Sequence, residues 1–267
     1  MVRGDLTLAR AVERCEIEGM RACIESAQRL APSMGAQGAE IAGGLAIFAG
    51  VDSPLSQAIG MGSSAAVTSD DVERVTAFYA ERDSTPSVLV NPTADAKLSR
   101  LLAQAGYGPV QQENALIADL SKLGGGRDPR IADADDPQRW AETSARGFLD
   151  GAEPSPEYAL VGWIIAAADG CTPLEGRGDD GGVAATGAMD VQGEFAGFFA
   201  SSTLPAFRRC GWQRALILDR IARARAAGAR YGRASAGVGG PSERNFLRCG
   251  FAALYTRTLW QLPRSRS

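Results

Sequence analysis

The residues best suited to chemistry lie between positions 201 and 216, where a Gly/Arg-rich turn connects an apolar strand to an amphipathic helix. The first turn of a helix has backbone N–H groups without internal partners and carries a partial positive charge, so a loop that aims these groups at one point forms an anion site. Arg208, Arg209 and Arg214 add positive charge, and Gly211 lets the backbone approach a ligand closely. The segment therefore predicts a site for a pyrophosphate.

The spacing of this loop resembles a known signature. The pattern Arg208-x-x-Gly211-x-Gln213-x-Ala215 is similar to the R/Q-x-x-G-x-G/A acyl-CoA motif of the GNAT superfamily of N-acetyltransferases. Gln213 departs from that motif because it stands where a second Gly or Ala usually lies. Its side chain must turn away from the phosphates or form a hydrogen bond with them.

The resemblance extends over residues 136–260, about half of the chain. Upstream of the loop we expect a hairpin over residues 183–200, and downstream a helix over 213–227 and a short strand near Arg230. Residues 242–251 resemble the last helix of that fold and the Gly-Phe turn after it. The helix after the loop has an apolar stripe of Leu216, Ile217, Ile221 and Ala224, with Arg220 and Arg223 beside it.

The resemblance implies acetyl-CoA, or another acyl-CoA, as cofactor. The backbone of the strand end would hold the pantetheine arm, the loop amides would hold the pyrophosphate, and an Asn of the last helix would contact the pantetheine. Ten residues receive such roles: Thr203, Leu204, Arg208, Arg209, Cys210, Gly211, Trp212, Gln213, Arg214 and Asn245. Trp212 could face either the core or the adenine.

Candidate catalytic residues are fewer. By the resemblance, Glu194 at the start of the strand aligns with a catalytic base, although an acid near a hairpin turn is often merely solvated. The position of the usual tyrosine acid falls on Phe246, which leaves Tyr255 as the candidate acid or as a core hydroxyl. Cys210 and Cys249 could form an acyl-cysteine, but direct attack in a ternary complex is the default.

Composition limits the classes of function. The chain has 267 residues, no histidine and a net charge of −3, which excludes Ser-His-Asp and Cys-His catalysis and His-based metal sites and argues against a general nucleic-acid binder. Eight arginines between positions 208 and 233 face one acid, as expected for a face that attracts phosphates or for a solvated helix. The five scattered cysteines indicate reduced thiols. With no apolar run of about 20 residues and no evident signal peptide, we expect a soluble, cytoplasmic protein.

The chain is expected to form an α/β (α+β) protein with two GNAT-like domains, each a mixed, mostly antiparallel sheet flanked by helices. The expected boundaries are residues 1–121, a linker at 122–137 rich in Gly, Asp and Pro, and 138–267. A short internal repeat supports this division, because residues 100–107 and 244–251 both read as a helix, a Gly stop and an aromatic residue. Residues 172–182 are expected to form a flexible loop, and residues 158–168 could be helix or strand.

The two halves differ where the cofactor would bind. In the first half, the loop at residues 59–71 contains Gly60 and Gly62, but the helix after it begins with Asp70 and Asp71. Carboxylates at that position occupy the N-terminal amides and repel a pyrophosphate. We therefore expect the first half to be degenerate and to help form the substrate cleft.

The sequence thus predicts an acyl-CoA-dependent N-acyltransferase that acts on a small-molecule or peptide amine. Phe246 and Gln213 keep open a different class, a non-catalytic acyl-CoA-binding or regulatory protein. A P-loop or Rossmann protein is disfavoured because neither G-x-x-x-x-G-K-[ST] nor G-x-G-x-x-G occurs at a strand-to-helix junction.

Overall fold

The computed structural model describes residues 5–179 and 181–263. Its α-helices are α1 (Leu6–Leu30), α2 (Ser69–Ala80), α3 (Leu98–Gln104), α4 (Pro137–Phe148), α5 (Pro156–Ala166), α6 (Trp212–Ala226) and α7 (Pro241–Arg248). None of the helices in these described ranges is both long and apolar enough to cross a membrane.

The strands are short in the first half and longer in the second. They are β1 (Gln37–Ile41), β2 (Gly44–Phe48), β3 (Ala58–Ile59), β4 (Ser87–Val90), β5 (Gly108–Asp119), β6 (Ile131–Asp133), β7 (Thr172–Arg177), β8 (Val183–Gln192), β9 (Phe195–Thr203), β10 (Tyr231–Gly237) and β11 (Ala252–Gln261). Three 3-10 turns lie at Pro32–Met34, Leu120–Lys122 and Pro205–Phe207.

The described residues form two compact units, residues 5–114 together with 254–263, and residues 115–253. The division differs from the predicted one in the last strand, since β11 belongs to the first unit from Leu254 onward. The reason for this difference is that β11 pairs with β4. The two strands are antiparallel, with Thr258 opposite Val90. Within the predicted linker at 122–137, β6 pairs with β7. The domain boundaries at residues 121 and 138 stay a prediction.

The first unit has the strand order β1-β2-β3-β4-β11-β5, with β3 parallel to β4. Strands β1 and β2 form a hairpin, because Ala42 and Gly43 between them adopt positive φ angles of 48° and 72°. On one face, Ile24 of α1 packs in a cluster with Leu45 and Ile59. The helices α2 and α3 contribute to a second cluster.

The second unit has the order β5-β10-β9-β8-β7-β6, with β9 parallel to β10. Trp140 of α4 packs in a cluster with Ala166 of α5 and Ala188 of β8. A separate, larger cluster joins α6 and α7 to the sheet, with Leu216 and Phe198 among its buried members. Two sequence expectations are resolved here: residues 158–168 are largely helix α5, and the expected loop at 172–182 begins with strand β7, which pairs with both β6 and β8.

The internal repeat is visible in the ends of α3 and α7. Gly106 and Gly250 have φ angles of 90° and 92° just after the two helices. The amides of the aromatic residues that follow, Tyr107 and Phe251, each donate to the carbonyl five residues earlier, at 3.0 and 3.1 Å. Both helices therefore end in the same glycine cap before a strand begins.

Candidate functional site

The Gly/Arg turn connects the end of β9 to the start of α6. After the 3-10 turn Pro205–Phe207, the backbone takes a left-handed conformation at Arg209, with φ 65°, and again at Gly211, with φ 84°. Gly211 is the N-cap of α6, and its lack of a side chain leaves the helix start without a side-chain cap. A Cβ at this position would meet no atom within 4 Å, so the space in front of the turn is open.

The backbone amides of this turn lack internal partners. The amide of Arg208 donates to Pro205 at 3.3 Å, and the amide of Ala215 donates to Gly211 at 3.0 Å. Between them, the six amides of residues 209–214 make no hydrogen bond within the described part of the chain. An uninterrupted run of unpaired N–H groups at a helix start, with left-handed residues among them, is the arrangement that favours an anion.

The three arginines of the loop have different surroundings. Arg208 holds the loop in place, because its guanidinium donates to the carbonyls of Thr203 at 3.2 Å and Gly147 at 3.0 Å and forms an ion pair with Asp150. Arg209 and Arg214 are exposed and form no ion pair within the described ranges. The positive charge available to a ligand therefore comes from these two.

Gln213 and Trp212 both turn away from the open side of the loop. The Gln213 side-chain amide donates to the Thr203 hydroxyl at 3.0 Å, so its departure from the motif is accommodated by the end of β9. The Trp212 side chain is buried against Gly176 of β7, and the Arg130 guanidinium lies 4.7 Å from its ring centre. The sequence left open whether this ring faces the core or the adenine, and in the structure it lies in the core.

The strand before the loop separates from its parallel neighbour. The paired register of β9 with β10 covers three positions and ends where Gly197 faces Arg233. Strand β9 continues for six more residues, to Thr203, and there it pairs with β8 and, among the described strands, with no other. A parallel pair that opens in this way leaves backbone N–H and C=O groups on one edge without strand partners.

Thr203 and Leu204 differ in the direction of their amides. The Leu204 amide donates to the carbonyl of Ala184 at 3.0 Å, so it is already bonded to β8. Because amides alternate sides along a strand, the Thr203 amide points to the opposite, open edge. This geometry supports Thr203 and argues against a pantetheine contact through the Leu204 N–H.

A β-bulge lies in the open part of β9. The register with β8 joins Thr186 to Ser202 but Ala188 to Phe199, so two residues of β9 face Gly187 alone. One of them, Ala200, has a φ of 48°. A bulge of this kind bends the strand and increases its twist, in keeping with the divergence of β9 from β10.

A buried ion pair joins three strands where the opening begins. Asp190 of β8 accepts a hydrogen bond from the Gly197 amide of β9 at 2.7 Å and pairs with the Arg233 guanidinium of β10 at 2.7 Å. A Cβ at Gly197 would lie 2.3 Å from the Asp190 carboxylate, so only glycine allows this crossing. The sequence reasoning missed the pair, although charged residues inside apolar strands were a signal for it.

Comparisons with known proteins identify the fold. A structure described as a GCN5-related N-acetyltransferase from Kribbella flavida superposes with a TM-score of 0.62 at 19% identity, over 91% of this chain and 96% of that one. An acetyltransferase of the GNAT family from Colwellia psychrerythraea gives 0.52 at 14%, over 88% and 87%. A tandem GNAT protein from the clavulanic acid biosynthesis pathway gives 0.53 at 12%, over 74% and 69%. No protein-family model and no curated protein sequence matches the chain.

The chain has a GNAT fold. The predicted fold class, with two GNAT-like domains of mixed, mostly antiparallel sheet, is confirmed. At identities below 20% the likeness concerns the fold, and activity has to be argued from the residues of the site.

Glu194 lies at the wrong end of its strand for the role predicted for it. It is an exposed residue in the β8–β9 turn, directly before β9 begins, whereas the Gly/Arg turn follows the end of β9 at Thr203. Glu194 lies nine positions before Thr203, about 30 Å along an extended strand. This geometry argues against Glu194 as the general base of the GNAT fold.

Tyr255 belongs to the first unit, on β11. Its hydroxyl donates to the buried carboxylate of Glu13 on α1. Burial and the charge of Glu13 raise the pKa of Tyr255, while burial is also the main cause that raises the pKa of Glu13. Such a hydroxyl is a poor acid for a leaving thiolate, and it fits the core hydroxyl that the sequence left as the alternative.

On α7, Asn245 and Phe246 occupy the positions expected from the resemblance. Asn245 is half-buried, and its side-chain oxygen accepts from Arg248 at 3.4 Å. Phe246 is a buried core residue that packs edge-to-face with Phe251, with ring centres 5.0 Å apart. A buried phenyl ring therefore occupies the position where the resemblance places a tyrosine acid.

The two cysteines near the loop have different surroundings. Cys210 is exposed and its thiol donates to the carbonyl of Arg208 at 3.5 Å. Burial raises the pKa of the Cys249 thiol, with Arg214 and Arg220 acting in the opposite direction. A thiol with a raised pKa has less of the reactive thiolate near neutral pH.

The corresponding helix start in the first unit is occupied by its own side chains. At α2, the Thr68 hydroxyl accepts from the Asp71 amide at 3.3 Å while Asp71 accepts from the Thr68 amide at 3.0 Å, a reciprocal capping box. The Val67 amide donates to Asp95 at 3.0 Å. Two carboxylates thus occupy the place where a phosphate would have to bind.

Proposed function

We propose that the second unit binds an acyl-CoA, acetyl-CoA in the simplest case, and transfers its acyl group to the amine of a small molecule or peptide. The observation that carries this proposal is the run of six unpaired amides at residues 209–214. It follows a strand that is not paired with β10 from Phe198 to Thr203. A diphosphate fits the first feature, and an extended amide-containing arm fits the second.

The donor set matches the charges of coenzyme A. Helix-start amides and the exposed Arg209 and Arg214 supply N–H donors and positive charge to the diphosphate. The Thr203 amide, on the open edge of β9, can bond to a carbonyl of the pantetheine arm as a neighbouring strand would. Several solved structures with this fold are described as acetyltransferases, which adds support by analogy.

The reaction is direct acyl transfer in a ternary complex. The amine nitrogen bonds to the thioester carbonyl carbon, the C–S bond breaks, and the proton of the amine leaves to water or to a group of the acceptor site. The residues of the site orient the acyl-CoA for attack. They supply no acid at position 246, because the side chain of Phe246 is a buried phenyl ring. A thiol with a pKa of about 8.5 leaves adequately near neutral pH without such an acid.

Three observations favour a second candidate, a protein that binds acyl-CoA without turnover. Phe246 is buried in the core, Tyr255 is bonded to Glu13, and Glu194 is remote along β9 from Thr203. A regulatory protein needs the diphosphate site but none of the catalytic groups.

Steady-state assays of thiol release separate the two candidates. Acetyl-CoA is incubated with the full chain and a panel of amines that includes polyamines, amino sugars and peptides, and free CoA is measured. We expect release that depends on one class of amine. Tight binding of acetyl-CoA by calorimetry with no amine-dependent release would favour the regulatory protein, and absence of binding would overturn both.

A further inference from the structure

Arg220 is a charged residue in the middle of the core of the second unit. It lies on α6 with a relative exposure of 0%, in contact range of the Phe198 ring, whose centre is 5.1 Å from the guanidinium carbon. The adjacent carboxylate, Asp219, instead bonds to Arg127 and Arg223. Within the described ranges Arg220 therefore has no ion-pair partner of its own.

The guanidinium of Arg220 bonds to both strands at the β-bulge. One terminal nitrogen donates to the carbonyls of Ala188 at 3.0 Å and Phe199 at 3.4 Å, and the other donates to the Ser201 hydroxyl at 2.9 Å. Two of these acceptors, Phe199 and Ser201, flank Ala200, the residue of positive φ, and the third, Ala188, lies on β8. Gly187 lies opposite the bulge, and a Cβ there would be in ordinary van der Waals contact with the guanidinium, 3.5 Å away.

Burying a guanidinium in a core costs free energy, because the charge loses its hydration. Burial lowers the pKa of Arg220 to about 9, so the group is still charged near neutral pH. Replacing buried charges by apolar residues of similar size is often neutral or stabilising, so such a charge has to be explained by the geometry it imposes. Here the geometry is that of a bulge, whose irregular ladder leaves carbonyls without their usual amide partners.

We propose that Arg220 is a positioning residue for the pantetheine arm: by holding the bulge at Ala200 from the core side, it keeps β9 apart from β10 and fixes the direction of the Thr203 amide. This inference rests on the proposed function of the second unit. Within the described residues, the guanidinium of Arg220 donates to acceptors on β8, on β9 and on its own helix and to none in residues 209–214, so its effect should be confined to the part of the ligand that lies along β9.

Two ligands test this division. Coenzyme A carries both the diphosphate and the pantetheine arm, whereas adenosine 3′-phosphate 5′-diphosphate carries only the nucleotide part. For Arg220→Met in the full chain, we expect the Kd of CoA to rise about tenfold by calorimetry, as for the loss of one well-placed strand contact, and that of the nucleotide to change less than about twofold. An equal loss for both ligands, or none for CoA, overturns the proposal.

Ser201→Ala provides the same test with a small change, should Arg220→Met fail to fold by circular dichroism. It removes one acceptor of the guanidinium and should weaken CoA by about threefold while leaving the nucleotide unaffected. Arg220→Lys, which keeps the charge but has one donor nitrogen in place of the fork, should lie between wild type and Arg220→Met. If wild type binds neither ligand, the proposed function fails; if wild type binds both and these variants show no selectivity, only the role of Arg220 fails.

Discussion

The starts of α2 and α6 occupy the same place in the two halves of the chain, where a strand leads through a loop into a helix, but their amides are used differently. At α2, Thr68, Asp71 and Asp95 supply hydrogen-bond partners to the loop and the first turn. At α6, Gly211 provides no side-chain cap, and six successive amides are unpaired within the described residues. A helix start therefore becomes an anion site only when the chain leaves its donors unused.

The difference in charge follows the difference in hydrogen bonding. Asp70 and Asp71 lie in the first turn of α2, whereas the first turn of α6 contains Arg214 and no acid. Both helices have the same partial charge at their N-terminus, but one is neutralised by its own carboxylates. This contrast is the physical basis for assigning the acyl-CoA to the second unit only.

The largest expected effect comes from closing the open turn. Gly211→Val should weaken CoA binding by at least about tenfold, because a branched side chain at a φ of 84° is strained and enters the space in front of the amides. Gly228→Val is the matched control: Gly228 follows the other end of α6 with the same φ of 84° and with no atom within 4 Å of a Cβ.

Both variants should be destabilised alike in thermal denaturation, and only Gly211→Val should lose affinity in calorimetry. Equal affinity of the two variants for CoA would contradict the placement of the diphosphate at the start of α6.

A smaller effect is expected from the exposed charges of the loop. The double variant Arg209→Ala, Arg214→Ala should bind CoA about three- to tenfold more weakly at low salt, and the deficit should shrink as the salt concentration rises. Arg74→Ala, in the first two turns of α2, is the control in the first unit and should leave the Kd unchanged. A salt-independent deficit would indicate that the two arginines act through the loop conformation instead.

In the first unit, Thr68→Ala should affect stability and not the ligand. Loss of the cap should lower the free energy of unfolding by about 1 kcal/mol, measured by urea denaturation, because the Asp71 amide loses its partner. The Kd and the stoichiometry of CoA should remain those of wild type. A gain of a second CoA per chain would show that the cap alone excludes the ligand.

The smallest effect concerns the acid side of the pH profile. Hydrogen bonds from the amides of Lys97 and Val67 lower the pKa of Asp95 below its ordinary value of 3.8. A carboxyl with a lowered pKa in the folded state stabilises the fold above its unfolded pKa, and this stabilisation is lost as the pH falls through the folded value. The difference in Tm between wild type and Asp95→Asn should therefore shrink from pH 6 toward pH 3, and a constant difference would show that the charge is irrelevant.

Local signals in the sequence were sufficient to predict the main parts of the candidate site. The apolar stripe and the glycine before it predicted α6 within one residue at each end, and the glycine stops predicted the ends of α3 and α7. These features depend on neighbours in the sequence, such as caps and helical spacing, which a single chain reveals. The unpaired amides of the loop were expected for the same reason.

Other features depend on partners that are distant in the sequence. The pairing of β11 with β4 could not be predicted because the pattern of a strand specifies its faces and not its neighbour. The segment of β7 reads as a loop in the sequence, because glycine and charged residues interrupt the alternation of apolar and polar residues that is typical of a strand. In the structure β7 lies between two strands. The bond between Tyr255 and Glu13 joins residues 242 positions apart, with no local trace.

The burial of Arg220 does leave a signal in its spacing. Arg220 lies four residues after Leu216, directly before Ile221 and four residues before Ala224, and so within the apolar stripe of α6 and not beside it. A charged residue inside an apolar helix face indicates a buried polar interaction, although not its acceptors.

Amide hydrogen exchange, measured by mass spectrometry on the full chain with and without CoA, tests the central contrast most directly. We predict that CoA slows exchange in peptides that cover residues 204–214 and leaves peptides that cover residues 62–71 unchanged, because the amides of residues 209–214 are unpaired within the described residues, whereas the start of α2 carries its own cap of Thr68 and Asp71. Slowed exchange at residues 62–71, or CoA binding without protection at residues 209–214, would contradict the assignment of the cofactor to α6.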